Sequence, residues 1–447
     1  MLPVLALSAL FNYGWSFLII NSDSAKKKRL MLAGVAVNLG VLLVFKYTNF
    51  FIDNLNLLTD SNIEFFQIVL PIGISFFTFQ QIAYLIAVRN DMRPPESFTE
   101  YLLFVSCFAY ITAGPIVGAR EILAQRDEIG RIDLDGLLAA ITLFSIGLFK
   151  KLVLAASFSP YSGQMFDAAQ RGEHVNVWDA WLGAWSYFLQ LYFDFGGYSD
   201  MAMALALMFG LRIPLNFNSP LKATSAIDYW QRWHITLTKF LTNYLFMPIS
   251  VAQTRKLMGR KVGRGVRFAR TYGMPVMITF LLAGIWHGAN WTFVVYGAWW
   301  GIVLVINHGW RQLGFPKLPI VPAWILTMLA VLIAMVLFRS ADMGTASSIL
   351  ASLVGLGVGA ASRLPLIEAG VMIVCAIAAC LVMPNVAQIL STWKISLNEV
   401  TPATGRFSKF SGWQWRLNRS GLIFTASILL ALIFFGGQDT QFLYYQF

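Results

Sequence analysis

Four histidines punctuate the chain, His174, His234, His287 and His308, and their settings differ sharply. His287 stands in Phe280-Leu-Leu-Ala-Gly-Ile-Trp-His-Gly-Ala-Asn-Trp-Thr-Phe293, an apolar run entered from a basic stretch. Counted from Met274 at about 1.5 Å per helical residue, it lies roughly 20 Å into a bilayer. An ionisable side chain at that depth is costly, and by default it marks a functional site. Desolvation disfavours the charged imidazole, so a histidine here stays a neutral base at neutral pH, able to accept a proton. The competing reading is a structural histidine bonded between helices. Gly288 and Asn290 favour the first: glycine permits close approach of a substrate, and asparagine can orient an imidazole or bind a carbonyl.

His234 falls in Asp228-Tyr-Trp-Gln-Arg-Trp-His-Ile-Thr-Leu-Thr-Lys-Phe-Leu-Thr-Asn-Tyr-Leu245. The spacing predicts one amphipathic helix, with Trp230, Leu237, Leu241 and Leu245 beside His234 on one face and Gln231, Lys239 and Asn243 on the other. Such a helix would lie along the membrane interface, and the pattern leaves open whether His234 packs or participates. His174, within Arg171-Gly-Glu-His174, reads as a solvated loop residue; His308, before Gly309 and Arg311, reads as interfacial. The segment Tyr192-Phe-Asp-Phe-Gly-Gly-Tyr-Ser-Asp200 sets two carboxylates around a Gly-Gly pair. Asp194 and Asp200 could bind a cation or proton, pair with an arginine, or hold a substrate hydroxyl, and spacing does not choose. Nucleotide-binding, serine-hydrolase and zinc-protease signatures are missing. Cys107, Cys375 and Cys380 make neither a disulfide framework nor a metal-ligand spacing, so no metal is expected.

The elements that must hold these residues are membrane helices. Of 447 residues 57% are apolar and only 12% charged, about half the charge of a soluble domain at ~25%. The fold class is therefore all-α and polytopic. Apolar runs occur at Met1 to Ile20, Leu30 to Phe45, Phe65 to Val88, Tyr101 to Val117, Leu137 to Ser157 and Trp178 to Phe195. Further runs are Met274 to Ile306, long enough for a broken pair, then Ile320 to Phe338, Ile349 to Ala360, Leu366 to Met383 and Leu422 to Phe435. They predict about eleven transmembrane helices in one domain over residues 1–447, with no soluble domain between them. Gly and Pro inside several runs (Pro71-Ile72-Gly73, Gly114-Pro115, Gly196-Gly197, Gly284, Gly288) imply broken or re-entrant segments. Broken backbone at membrane depth needs protein or water around it, hence an internal tunnel.

The net charge of +11 is concentrated. Arg255, Lys256, Arg260, Lys261, Arg264, Arg267 and Arg270 form one basic stretch without an acid, and Lys26-Lys27-Lys28-Arg29 form a second. Both read as positive-inside loops, the first placed in the cytosol. Neither carries the interleaved aromatics of a nucleic-acid surface, so no nucleic-acid partner is expected. The run from Met1 to Asn21 lacks a basic n-region and reads as a retained helix.

The residues above sit in blocks that resemble, in order and over nearly the whole chain, the membrane-bound O-acyltransferase family, and within it the bacterial alginate O-acetyltransferases. The blocks are Phe45-Lys-Tyr-Thr-Asn-Phe-Phe51, Leu70-Pro-Ile-Gly-Ile-Ser-Phe-Phe-Thr-Phe-Gln80, Ala113-Gly-Pro-Ile-Val117, Tyr192 to Ala202 and Asn216-Phe-Asn-Ser-Pro220. They continue through Trp230-Gln-Arg-Trp-His-Ile-Thr-Leu237, Trp286-His-Gly-Ala-Asn-Trp291, Leu337-Phe-Arg-Ser-Ala-Asp-Met343 and the terminal Phe442-Leu-Tyr-Tyr-Gln-Phe447. The resemblance implies that His287 is the family's intramembrane catalytic histidine and His234 a second histidine on the tunnel lining. Asn290, Trp286, Arg232, Asp194 and Asp200 are the expected substrate-binding residues. Against the family pattern the chain starts late, and Tyr229, Gln231 and Thr242 stand where relatives commonly read Phe, Arg and Arg.

The activity implied is O-acetyl transfer in a bacterial inner membrane. The donor would be a cytosolic thioester, acetyl-CoA, as a substrate rather than a bound cofactor, its phosphates drawn to the basic stretch. The acceptor would be an alginate-like exopolysaccharide or surface glycan, or a periplasmic protein that relays acetyl groups to one. D-alanyl transfer to teichoic acid is the nearest alternative. A transporter or flippase would explain the broken helices and the two acids without any reaction, but the chain shows no internal repeat.

Overall fold

The computed structural model describes residues 2–131, 133–357, 362–397, 413–436 and 443. Its regular structure is entirely helical among the described residues. The Cα framework separates into two compact units, Met1–Asp133 with Leu205–Pro214, and Leu134–Ala204 with Leu215–Phe447.

The first unit contains α1 (Leu2–Ile20), α2 (Ser24–Thr59), α3 (Ile74–Arg89), α4 (Phe98–Val105) and α5 (Ala119–Leu123). Lys26 to Arg29, expected in a loop, instead lie in the first two turns of α2, capped by Asp23, whose carboxylate accepts from Lys26 N at 2.9 Å. That anion offsets the unfavourable meeting of four cations with the positive end of the helix dipole. The expected span from Phe65 to Val88 is helical only from Ile74. Before it, the chain around Ile63 and Phe66 is held by side chains in place of a helix ladder. Asn56 exchanges two bonds of 2.9 Å with Ile63, and Asn49 two of 2.9 and 3.0 Å with Phe66. Pro71 lacks the N–H a helix would need, and Gly73 at φ 76° supplies the left-handed entry to α3. The run from Tyr101 to Val117 is likewise no continuous helix, because α4 stops at Val105 and turns follow.

Polar side chains bind α1, α2, α3 and α4 together inside this unit. Asn12 donates to Asn38 Oδ1 at 3.0 Å and to Gln81 Oε1; Asn38 returns a bond to Asn12 Oδ1 at 2.7 Å. Gln81 donates to Ser8 at 3.0 Å, Tyr101 to Gln81 at 3.3 Å and Tyr84 to Ser16 at 2.9 Å. Where apolar contact gives no preference over lipid, such bonds contribute about 1 kcal/mol each.

The second unit begins with α6 (Leu134–Phe149), which passes through a π turn at Lys150–Ala155 into α7 (Ala156–Gln170). Next come α8 (Val177–Met208), whose residues from Leu205 on belong to the first unit, α9 (Ala226–Trp230) and α10 (Ile235–Leu241). A second π turn, Thr242–Phe246, leads into α11 (Met247–Leu257). Then follow α12 (Arg264–Phe268), α13 (Met274–His287), α14 (Trp291–Gln312), α15 (Ile320–Arg339), α16 (Met343–Leu353), α17 (Leu366–Val382), α18 (Val386–Ile389) and α19 (Arg419–Phe435). The basic stretch from Arg255 to Arg270 is thus no simple loop: it covers the end of α11, a turn and α12, with all seven cations exposed.

Of the eleven expected spans, six described helices are long and apolar enough to cross a bilayer: Leu2–Ile20, Ser24–Thr59, Leu134–Gln170, Arg264–His287, Trp291–Gln312 and Ile320–Arg339. Apolar helices at Ile74–Arg89, Met343–Leu353, Leu366–Val382 and Arg419–Phe435 are shorter. The expected broken pair over Met274 to Ile306 is observed as α13 and α14. Their close approach depends on Gly284 and Gly297. A Cβ on Gly284 would run into Phe293 O and come within 2.9 Å of Gly297 Cα, the small-residue packing typical of membrane helices. The end of the expected Ile349 to Ala360 span, and the terminal Phe442 to Phe447 block except Leu443, lie outside the described residues.

Candidate active site

The predicted single helix from Asp228 to Leu245 is instead broken at residues 231–234, between the short α9 and α10, which runs on through the π turn into α11. His234 stands at the break in the left-handed region (φ 43°, ψ 54°), a conformation uncommon for a residue with a Cβ. The break turns the run inward: Trp230, Trp233 and His234 are 5%, 5% and 2% exposed, which an interfacial helix would not give.

His234 is held by Asn216, a residue that no motif singled out for a role. Asn216 Oδ1 lies 3.0 Å from His234 Nδ1 and also accepts from Thr236 N at 3.3 Å and Thr236 Oγ1 at 2.9 Å, while Asn216 Nδ2 donates to Ser199 Oγ at 3.2 Å. A backbone N–H can only donate, so the carboxamide oxygen faces this side and Nδ1 of His234 carries the proton. In the neutral ring Nε2 then keeps its lone pair. Asn216 opens one of the family-like blocks, and that was its only sequence signal, because a polar residue in an irregular segment has no periodicity to betray it.

His287 is the last residue of α13 and is 7% exposed. Aromatic rings surround it: Trp286 at 4.7 Å, Phe338 at 5.1 Å and Tyr296 at 5.8 Å between centroids, all steeply inclined to the imidazole. The two histidines, far apart in sequence, face one cavity of about 10 Å³ walled by Leu191, Phe195, Trp230, Trp233, Leu237, Tyr296, Met335 and Phe338. That is room for about one water. Phe195 closes against His234 with centroids 4.9 Å apart, so the space is narrow and largely aromatic.

The other expected site residues are committed elsewhere. Asn290 caps α14, accepting from Thr292 N at 3.0 Å and donating to Ala341 O at 2.5 Å; it does not line the cavity. Gly288 makes room not for a substrate but for the Phe293 ring, which a Cβ there would strike. Trp286 packs on His287 from outside the lining set. Arg232 pairs with Asp228 at 2.7 Å and donates to Asn218 O at 3.2 Å. Asp200 pairs with Lys150 at 2.7 Å, while Asp194 pairs with Lys151 and accepts from Leu443 N at 2.9 Å. The π turn at Lys150–Ala155 lets two consecutive lysines reach carboxylates on the same helix α8. The acids therefore read as partners in buried ion pairs. Of the remaining histidines, His308 stacks on Tyr272 with centroids 3.8 Å apart, away from the cavity. Among the described residues no group of His, Cys, Asp and Glu could hold a metal ion.

Comparison with known proteins places this geometry in context. Residues 93–337 match the model of MBOAT, the membrane-bound O-acyltransferase family, and this range contains both histidines. The chain is 36% identical over 387 residues to a peptidoglycan O-acetyltransferase of Helicobacter pylori, covering 79% of this chain and 70% of that one. It is 36% identical over 364 residues to a probable alginate O-acetylase, AlgI, of Azotobacter vinelandii, covering 80% and 69%. A teichoic acid D-alanyltransferase of Streptococcus thermophilus is 30% identical over 253 residues, covering 54% and 57%.

Proposed function

The chain belongs to the membrane-bound O-acyltransferase family, and from that premise we propose that it moves an acetyl group from a cytosolic thioester, acetyl-CoA, toward a hydroxyl of a cell-envelope or secreted polysaccharide. It is a multi-pass membrane O-acyltransferase; the donor, the acceptor, the inner-membrane location and the residues in their roles are our reading. The observation that carries it is the meeting of His234 and His287 in one buried cavity. Relatives named for acetylation of peptidoglycan and alginate are 36% identical over about four-fifths of the chain. The D-alanyl alternative draws support from a match covering 54% of it, so acetyl is the donor group we favour.

In this reading His287 takes the proton of the acceptor hydroxyl as its oxygen attacks the thioester carbonyl carbon. The new C–O bond forms, the C–S bond breaks, and the departing thiolate receives the proton back from His287. His234, pinned through Nδ1 to Asn216, positions the second substrate. Exclusion of water by Phe195, Phe338 and Trp233 protects the thioester from hydrolysis and strengthens every polar contact inside. The acceptor is the polysaccharide itself or a periplasmic protein that relays the acetyl group, and the exposed cations from Arg255 to Arg270 attract the phosphates of the donor on the cytosolic face.

The test is direct. Purified protein supplied with radiolabelled acetyl-CoA and a short oligosaccharide acceptor should release free thiol and label the acceptor. No loss of thioester, together with solute flux coupled to an ion gradient, would replace this reading with the transporter. Topology is checked by a cysteine introduced at Gly263 in a variant without the native cysteines: an impermeant reagent should leave it unmodified in intact spheroplasts.

A further inference from the structure

We infer that Trp230 donates its indole N–H to the carbonyl oxygen of the bound acyl thioester and holds the oxyanion that develops there. This rests on the acyl-transfer reading and assigns a residue to its transition state. Trp230 lines the cavity that contains His234 and His287. It is 5% exposed, and its Nε1 is buried with no hydrogen-bond acceptor among the described residues. Trp15, Trp181, Trp299 and Trp324 donate to backbone carbonyls at 2.8, 3.1, 2.9 and 2.7 Å; Trp300 and Trp393 also have a buried N–H without an acceptor among the described residues, but neither lines the histidine cavity. A buried N–H left without an acceptor is destabilising, and a donor that lines a cavity regains its partner when a ligand brings one.

The surroundings fit that work. Indole is a donor only, and it is neutral, so it can face developing negative charge without the desolvation cost of a buried cation. Its ring is fixed edge-on to Phe280 and Trp300, with centroids 5.0 and 5.2 Å away, so the donor is organised before substrate arrives. The neighbouring cavity of about 10 Å³ has the size of one water, which is also the size of one carbonyl oxygen. His234 cannot play this part through Nδ1, whose proton is directed at Asn216. The local reason is the break after α9: it turns Trp230, the last residue of that helix, and His234 toward the same space. During transfer the hydroxyl proton passes through His287 to the leaving sulfur, and Trp230 keeps its own proton throughout.

Trp230→Phe separates the donor from the ring. Removing an unpaired donor while keeping an aromatic side chain should leave the melting temperature unchanged or raised. Yet kcat for acetyl transfer should fall by about 10²-fold with KM for the thioester nearly constant, the usual loss on deleting one oxyanion donor. A packing role predicts the reverse, lost stability with normal turnover per folded molecule. In a His287→Gln background, where turnover does not clear the ligand, the carbonyl stretch of bound acetyl-CoA labelled with carbon-13 should move to higher frequency when Trp230 becomes Phe. Wild-type kcat in Trp230→Phe, or an unmoved stretch, overturns the assignment of Trp230 while acyl transfer stands. A wild-type protein that consumes no thioester overturns the transfer reading and this inference with it.

Discussion

The polar cluster in the first unit and the histidine cavity in the second bury similar kinds of side chain and treat them in opposite ways. Asn12, Asn38, Gln81, Ser8, Tyr101, Ser16 and Tyr84 bond to one another across four helices. At the cavity, the Trp230 N–H has no acceptor among the described residues, and the surrounding rings leave a gap the size of a water. A closed network spends its polarity on holding helices together. An open one keeps polarity in reserve for a ligand. Burial alone therefore does not mark a working site; what distinguishes one is unspent hydrogen-bonding capacity facing a space.

Several substitutions would break or sharpen this contrast. The largest effect is expected at His287, where Ala should lower acyl transfer by about 10² to 10⁴-fold, with expression and melting temperature near wild type. His287→Gln should be equally inactive, since it can bond but cannot act as a base; normal turnover per folded molecule in either variant would falsify the assignment. Next comes Asp194→Leu, which removes the carboxylate that pairs with the largely buried Lys151. It should cost about 3–5 kcal/mol of stability by thermal unfolding in detergent, while adding Lys151→Met should recover most of that. Failure of the double variant to recover would return Asp194 to the candidates for substrate binding.

At His234 the expected loss of activity is up to about 10²-fold, the scale of a misplaced reactant. Because its backbone is left-handed, His234→Ala mixes strain with loss of the imidazole. His234→Asn tolerates that backbone, so a kinetic defect that persists in Asn belongs to the ring; recovery in Asn would leave His234 a purely structural residue. The smallest effect is expected in the first unit. Asn38→Leu should lower stability by about 1–2 kcal/mol and leave kcat per folded molecule unchanged. A specific kcat defect there would show that the closed network is more than scaffolding.

The chain's own composition settled the class of this protein. With 57% of residues apolar and 12% charged, no fold can keep it dissolved in water. Counting along the apolar run sufficed to put His287 on a helix entered from the basic stretch, since that run is local and regular, and the broken pair at Gly288 was legible for the same reason. Only the tertiary structure decided the rest. The Asp228 to Leu245 stretch has the period of one amphipathic helix, but buried aromatic packing and the bonds from Asn216 and Thr236 outweigh that period and break the run at His234. Asp194 and Asp200 looked open to substrate because their lysine partners lie on a separate helix, paired through a π turn that no local pattern announces. Asn290, a candidate ligand by its place beside His287, caps α14. Periodicity reports which face of an element is apolar, whereas a polar group's role depends on what stands opposite it. That partner comes from distant sequence and is fixed only when the helices pack.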